Sequence, residues 1–273
     1  MYRWPRFPSH LPARLAYSDC SRPAAPQSRG ELDADVDRTT TTAMFPLRDD
    51  APRWEFPWVN SSIIALNVVV FLYELSLPHR FLERVFIPSF GLVPYRLQAW
   101  VHGAPVPWLA ALFPLFSSMF LHGGWLHLLG NMWMLYIFGD NVEDLFGHGR
   151  YLGFYLCCGL VAALTQVIFS WNSVIPMIGA SGAIAGVMGA YLVRFPRARV
   201  LTLVFLLFFF FLWEIPAWVI LGYWFLLQFL SGAHTLALGR LAAEGGGIAW
   251  FAHIGGFLTG VLLVRMGWRR RRW

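Results

Sequence analysis

Residues 179–191 read Gly-Ala-Ser-Gly-Ala-Ile-Ala-Gly-Val-Met-Gly-Ala-Tyr, and this stretch decides the fold. It is apolar and predicts a helix whose small side chains point to nearly every face. Small residues let neighbouring helices approach closely, so the pattern favours a central helix with partners on every side. Ser181 opens this helix. Polar groups at lipid depth are costly and rare, and they are usually functional.

The composition indicates a membrane protein. Hydrophobic residues make up 57% of the 273-residue chain and charged residues 13%, whereas soluble domains carry about 25% charged residues. The net charge of +6 comes wholly from arginine, since the chain has no lysine. That usage indicates a GC-rich genome and favours a bacterial source. Much of the arginine flanks apolar segments, as in cytoplasmic membrane loops, so no nucleic-acid partner is predicted.

The first 58 residues are polar and rich in Pro, Arg and Ser, and they show no apolar core of a signal peptide. We expect residues 1–58 to form a disordered tail. Two alternatives stay open. In the first alternative these residues are an organellar transit peptide, because the first thirty are rich in Arg and nearly free of acidic residues. In the second, translation starts at Met44 and not at Met1.

Six apolar segments follow the tail. They predict an all-α membrane protein, with a six-helix bundle over residues 59–267 and a short central fourth helix. The segments cover about 59–77, 122–138, 151–171, 181–193, 215–231 and 248–266. We expect part of the apolar loop 78–117 at the membrane interface. Residues 200–213 are expected to be interfacial or re-entrant, with one long kinked helix as the alternative.

The placement of arginine predicts the orientation in the membrane. An even number of spans puts both termini on one side. That side carries Arg150, Arg194, Arg197, Arg199 and the basic tail 268–273. Both termini are therefore expected in the cytoplasm. The second, fourth and sixth spans then begin on the outer side, so polar residues near their starts can meet at similar depth.

Ser181 and His253 are the minimum parts for nucleophilic acyl transfer. The helix from Ser181 to Val193 rises only ~20 Å against ~30 Å of hydrocarbon, so Ser181 is predicted to lie in a sunken, wet cavity. Its place at a helix N-terminus provides free N–H groups for an oxyanion. His253 shares a face with Gly256 and Gly260, which lets the sixth span press against the fourth. The alternative is packing alone, with the serine as an N-cap.

The second span offers hydrogen-bond donors. His127 and Asn131 lie four residues apart on one helix face, and both can donate to an oxyanion. His122 lies about 140° around the same helix and is expected to bond loop backbone at the helix start. A metal site is the rival interpretation. The His-Glu-x-x-His spacing is missing and no carboxylate lies close by in sequence, so neither metal nor cofactor is predicted.

Taken together, these residues resemble the rhomboid family of intramembrane serine proteases over roughly residues 57–267. The motifs that carry the resemblance are His122-x4-His127-x3-Asn131, Gly139 with Glu143, Gly179-x-Ser181-Gly182 and Ala252-His253-x2-Gly256-x3-Gly260. Their order and spacing are far more specific than any single motif. The run 179–191 is similar to bacterial members in particular, so the bacterial inner membrane is the expected location.

The resemblance implies a serine endopeptidase with a Ser–His dyad and no aspartate. Ser181 matches the nucleophile and His253 the general base. His127, Asn131 and the Ser181 N–H match the oxyanion hole, and His122 matches a family histidine that supports the first loop. The glycines expected to support the site are Gly179, Gly182, Gly256 and Gly260. The implied substrates are single-span membrane proteins, cut near the outer membrane face after a small residue.

Two departures from the family pattern stand out. Many members carry Trp-Arg in the first loop where this chain has Phe113 and Pro114, so that loop is expected to be held differently. Some members have a tyrosine four residues after the serine, whose ring supports the histidine. Ala185 stands there in this chain, so the base must be supported by another group.

Two other functions stay open. One is a catalytically inactive rhomboid-like protein that binds membrane clients, although such proteins usually lose the serine or the histidine. The other is a small channel or transporter, which needs pore-lining polar residues on several spans. The first, third and fifth segments offer few of these.

Overall fold

The structure is a computed structural model that describes residues 43–206, 209–237 and 249–267. Most of the expected disordered tail, the basic tail 268–273 and Ile248, the first residue expected in the sixth span, lie outside the described residues. The start at Met44 remains a prediction.

Helices make up most of the described chain. The longer ones are α1 (Trp58–Ser76), α7 (Trp125–Phe146), α8 (His148–Phe169), α9 (Ser181–Arg194), α10 (Ala217–Ala237) and α11 (Trp250–Arg265). Between α1 and α7 lie the short helices α2 (His79–Phe81), α3 (Ile87–Phe90), α4 (Pro94–Val101), α5 (Trp108–Leu112) and α6 (Pro114–Ser117). A π-helical turn, Leu82–Phe86, and a 3₁₀ turn, Ser118–Phe120, complete this region.

Three of the helices are long and apolar enough to cross a membrane: α1, α8 and α10. A fourth span results if the Trp108–Phe120 region and α7, which meet at a 77° bend, are counted as one. Within the described residues, α9 and α11 are shorter, with 14 and 16 residues. The count of six spans therefore stays a prediction, while the apolar, mostly helical architecture is that of a membrane protein.

A three-stranded sheet corrects the all-α prediction. Strands β2 (Arg199–Leu206) and β3 (Phe209–Pro216) pair antiparallel, and β1 (Ala43–Asp49) pairs antiparallel with β2, in the order β1-β2-β3. Residues 200–206 and 209–213 thus lie in paired strands and not in a kinked helix, while an interfacial location for them stays a prediction. Residues 43–49, assigned to the disordered tail, form the third strand of the sheet.

The pattern of β2 gives the physical reason for the sheet. Val200, Thr202 and Val204 are buried while the residues between them are only partly covered, which is the two-residue period of a strand. β-branched and aromatic residues are frequent here and favour this half-buried, pleated surface. A helix of the same residues would leave β1 without a pairing partner.

The loop before α7 packs on α8. Leu92, Leu97, Ala111 and Leu115 form a cluster with Ala163 and Val167 of α8. Several large apolar side chains of the same loop stay exposed, including Trp108, Phe113 and Phe116. The interfacial location expected for part of this loop remains a prediction, and its exposed aromatic rings support it.

Helix α9 is almost wholly enclosed by other helices. Every residue from Gly182 to Tyr191 is buried, and α9 packs on α7, α8 and α11. The contact with α11 is between backbones. A methyl group on Gly256 would lie 1.9 Å from the Gly182 carbonyl oxygen, and one on Gly260 would lie 1.9 Å from that of Gly186. The small side chains therefore permit a helix pair that larger ones would hold apart.

Candidate active site

Two helix starts bring the candidate nucleophile and base together. Ser181 is the first residue of α9, and His253 lies in the first turn of α11. The serine Oγ lies 2.8 Å from Nε2 of His253, within hydrogen-bonding distance. The histidine is buried and the serine partly exposed. A hydroxyl bonded to an imidazole in this way is the contact through which a histidine activates a serine.

The glycine stripes explain why the two side chains meet. Gly182 touches Gly256, and one turn further along both helices Gly186 touches Gly260. Because these contacts advance together, α9 and α11 run parallel, with Ser181 and His253 at their corresponding ends. The expectation that the stripe on α11 would press against α9 is met in this packing.

A glutamine also reaches the base. Oε1 of Gln228 lies 2.7 Å from Nδ1 of His253, and the Trp224 ring lies against the imidazole with centroids 5.6 Å apart. Gln228 and Trp224 are four residues apart on α10 and share a face. With Ala185 in place of the family tyrosine, these two side chains support the base. The sequence analysis missed both. A lone amide in an apolar helix is the signal that could have found Gln228.

His127 and Asn131 lie beside the backbone that leads to Ser181. Gly179 has a φ of +128°, and a methyl group on it would lie 2.7 Å from Nε2 of His127 and 3.8 Å from Nδ2 of Asn131. Only glycine suits both this backbone conformation and this space. The Gly123 N–H donates to Nδ1 of His127 over 3.4 Å, which leaves Nε2 as the ring nitrogen that carries the proton.

Asn131 keeps an unused donor in the site. It is 8% exposed, and its Nδ2 makes no hydrogen bond to any residue that the structure describes. Buried polar atoms nearly always have a partner, so an orphan donor needs an explanation. A substrate oxyanion is an acceptor that would satisfy it. His127, Asn131, Ser181 and His253 all line one cavity.

His122 is buried close to this group but makes different contacts. Its ring packs edge-on against that of His127, with centroids 5.1 Å apart. Within the described chain neither ring nitrogen makes a well-formed hydrogen bond. The Phe120 backbone carbonyl lies near the ring. The backbone N–H of His122 donates to the buried carboxylate of Glu74 on α1 over 3.3 Å. Sequence reasoning missed Glu74, a lone acid in an apolar helix. Support of the first loop by His122 stays a prediction.

The cavity is lined mostly by apolar side chains. Its volume is about 1010 Å³, and it is lined by residues of α7, α9, α10 and α11, the start of β1 and the loop before α9. The lining includes the apolar side chains Met134, Phe138, Ile184, Met188, Leu221 and Trp224 and the polar side chains Gln166, Ser170, Ser173 and Thr235. Among the described residues no three His, Cys, Asp or Glu side chains are grouped to hold a metal ion. The metal-free mechanism stays a prediction.

Comparison with known proteins gives one family. A family model described as a rhomboid domain matches residues 110–270. Rhomboid protein 1, mitochondrial, of Saccharomyces cerevisiae is 27% identical over 214 residues, which are 76% of this chain and 51% of that protein. Presenilin-associated rhomboid-like protein A, mitochondrial, of Danio rerio is 27% identical over 223 residues, 77% of this chain and 49% of that protein. RHOMBOID-like protein 2 of Arabidopsis thaliana is 36% identical over 174 residues, which are 58% of this chain and 45% of that protein.

These relatives correct one expectation. They come from yeast, fish and a plant, and two of them are mitochondrial by name, so the comparisons do not support a bacterial type or a bacterial inner membrane. The chain spans about half the length of the curated relatives it matches.

Proposed function

The chain belongs to the rhomboid family, and from this premise we propose that it is an intramembrane serine endopeptidase that works with a Ser181–His253 dyad. The observation that carries the proposal is the 2.8 Å hydrogen bond between the serine hydroxyl and the imidazole, made between two apolar helices. A polar pair between apolar membrane helices is costly and rare, and it usually marks a functional site.

The reaction follows from the positions of the side chains. Nε2 of His253 takes the hydroxyl proton of Ser181 as Oγ attacks a substrate carbonyl carbon. The tetrahedral oxyanion accepts hydrogen bonds from His127, Asn131 and the Ser181 N–H. When the C–N bond breaks, His253 gives its proton to the leaving amine. Water, deprotonated by His253, then attacks the ester, which releases the carboxylate product and restores the serine.

The lining of the cavity supports a membrane-protein substrate. Most of the lining side chains are apolar, and the candidate dyad, His127 and Asn131 line the same space. A peptide with an apolar segment and an unwound bond near the dyad fits such a lining. We infer single-span membrane proteins as substrates, cut near the outer membrane face after a small residue, as the family resemblance implies.

Location is part of the proposal. An integral membrane protein follows from the rhomboid domain and the apolar helices. Cytoplasmic placement of both termini rests on the arginine distribution.

Replacement of the nucleophile tests the proposal. Ser181→Ala in proteoliposomes with a model single-span substrate is expected to lower the cleavage rate at least about 1,000-fold, because no other group replaces the nucleophile. Ser62→Ala removes an exposed serine on α1 that bonds only its own helix, so this matched control should cut like the parent. A fluorophosphonate probe should label the parent and Ser62→Ala but not Ser181→Ala.

Two results would contradict the proposal. If Ser181→Ala cleaves as fast as the parent, the mechanism is wrong. If the folded parent neither cleaves nor reacts with the probe, the alternative of an inactive relative that binds membrane clients is favoured.

A further inference from the structure

We propose that Gln228 is a positioning residue that fixes the tautomer and the orientation of the His253 imidazole. The inference rests on the proposed function and adds a third member to the dyad. It is carried by three residues in line: Gln228 Oε1 lies 2.7 Å from Nδ1 of His253, and Nε2 of the same ring lies 2.8 Å from the Ser181 hydroxyl.

The chemistry of the ring demands one arrangement of protons. A neutral imidazole carries its proton on one nitrogen and offers the other as an acceptor. An amide oxygen accepts but cannot donate, so Nδ1 must carry the proton when it faces Oε1. Nε2 is then the acceptor that can take the proton of Ser181. The opposite tautomer would place a proton between the base and the serine and block the transfer.

The surroundings leave the ring little other support. Gln228 is 8% exposed, as is His253, so no bulk water competes for Nδ1. Trp224, one turn before Gln228, covers the ring with an interplanar angle of 41°. One side chain thus restricts the imidazole by packing and the other by a hydrogen bond. Both come from α10, so correct docking of α10 determines whether the base is aimed at the serine.

An amide suits this position better than a carboxylate. A carboxylate beside the imidazole would stabilise its charged form more strongly, but it would have to be kept ionised inside an apolar helix. Gln228 provides the orientation without that cost. We therefore expect its loss to have a smaller effect than loss of Ser181 or His253.

Four proteins test the role: the parent, Gln228→Leu, Gln228→Glu and Asn141→Leu. Asn141 is a matched control because it is a buried amide on α7 whose Nδ2 donates to the Ala51 and Pro52 carbonyls over 3.2 and 3.1 Å, and it does not line the cavity. Gln228→Leu removes the acceptor at nearly the same volume. Gln228→Glu keeps an acceptor oxygen at the same position in a side chain of the same length.

Kinetics in proteoliposomes separate positioning from packing. In Gln228→Leu we expect kcat and the rate of fluorophosphonate labelling to fall roughly 10- to 100-fold, between the effect of one neutral hydrogen bond and that of general-base catalysis. KM should stay within about threefold of the parent value, because Gln228 acts on the His253 ring and its loss leaves substrate binding unchanged. Gln228→Glu should recover most of kcat. Asn141→Leu should lower thermal stability at least as much as Gln228→Leu while keeping kcat within about threefold of the parent.

Three results would overturn the inference, and each differs from failure of the proposed function. If the parent cleaves and Gln228→Leu keeps its kcat within about threefold, Gln228 only packs. If Asn141→Leu loses as much kcat as Gln228→Leu, the loss reflects general destabilisation. A folded parent that neither cleaves nor labels overturns the proposed function, and the catalytic role of Gln228 with it.

A spectroscopic measurement reads the tautomer without any turnover. In protein labelled with ¹⁵N-histidine, the His253 signals are assigned by their absence from His253→Asn. We expect a protonated Nδ1 in the parent and in Asn141→Leu, and loss of that preference in Gln228→Leu. A parent spectrum with the proton on Nε2 would refute the assignment even if the enzyme cleaves.

Discussion

At the scale of single residues, the site depends on glycines, which have no side chain, as much as on the residues proposed to react. Gly256 and Gly260 let α11 touch the backbone of α9, and Gly179 leaves room for the His127 ring. The distance between Ser181 and His253 is set by how closely α9 and α11 approach. A single methyl group in this contact should therefore act on both stability and catalysis.

Gly256→Ala tests this point. The added methyl would lie 1.9 Å from a backbone oxygen of α9, which cannot move aside as a flexible side chain could. We expect a loss of at least about 1–3 kcal/mol of stability and a wider Ser181–His253 gap, seen as a lower thermal midpoint and slower probe labelling. Gly153→Ala on α8 is the control, since a methyl there meets nothing within 4 Å. Equal behaviour of the two variants would contradict the contact.

At the scale of elements, the N-terminus of α1 is capped by another helix. Pro57 precedes α1 and makes no side-chain cap hydrogen bond. Glu143, near the end of α7, accepts the N–H groups of Val59 at 2.9 Å and Asn60 at 2.6 Å. Gly139 allows this junction, because a methyl on it would lie 2.2 Å from the Asn60 side chain. These contacts give Glu143 a structural role at the junction of α1 and α7.

Glu143→Gln is expected to destabilise the fold. It replaces a carboxylate that accepts two buried amide protons by an amide with a single acceptor oxygen, at a cost of roughly 1–3 kcal/mol. The thermal midpoint in detergent should fall, while kcat of the folded fraction stays near that of the parent. Glu83→Gln is the control, since Glu83 is exposed and its partner His79 is too. An unchanged midpoint in Glu143→Gln would show that the capping bonds contribute nothing measurable.

At the scale of the whole molecule, the arrangement across the membrane remains to be measured. Helix α9 has 14 residues and rises only ~20 Å, so it can separate two faces only if one of its ends is sunken. The proposed orientation puts the loop before α9 outside and the loop after it inside. Val174 and Arg197 are exposed residues in these two loops.

Cysteine accessibility tests this orientation. In a variant whose native Cys20, Cys157 and Cys158 are replaced by alanine, Val174→Cys should react with an impermeant maleimide on intact cells. Arg197→Cys should react only after the membrane is permeabilised, because α9 lies between the two positions. Labelling of both from the same face would refute the proposed six-span topology around α9.

The family and the pairing of its motifs could be predicted from the chain alone. The rhomboid resemblance is confirmed by the family match. The meeting of Ser181 with His253, which the structure shows, follows from glycine spacing that can be counted along each helix. The all-α prediction missed the sheet, because β1 pairs with a strand more than 140 residues away and local periodicity does not reveal such a partner.

By itself, the sequence determined which residues are costly to place in a membrane and which helix faces are small enough to touch. Both are local properties, set by the chemistry of each side chain and by the 3.6-residue period of the helix. Only the tertiary structure decided that Gln228 faces His253, that Glu143 caps α1 and that residues 199–206 pair with residues 209–216 as antiparallel strands. Each of these depends on how separate elements dock, and the period of a helix or strand contains no information about its neighbour's rotation or register.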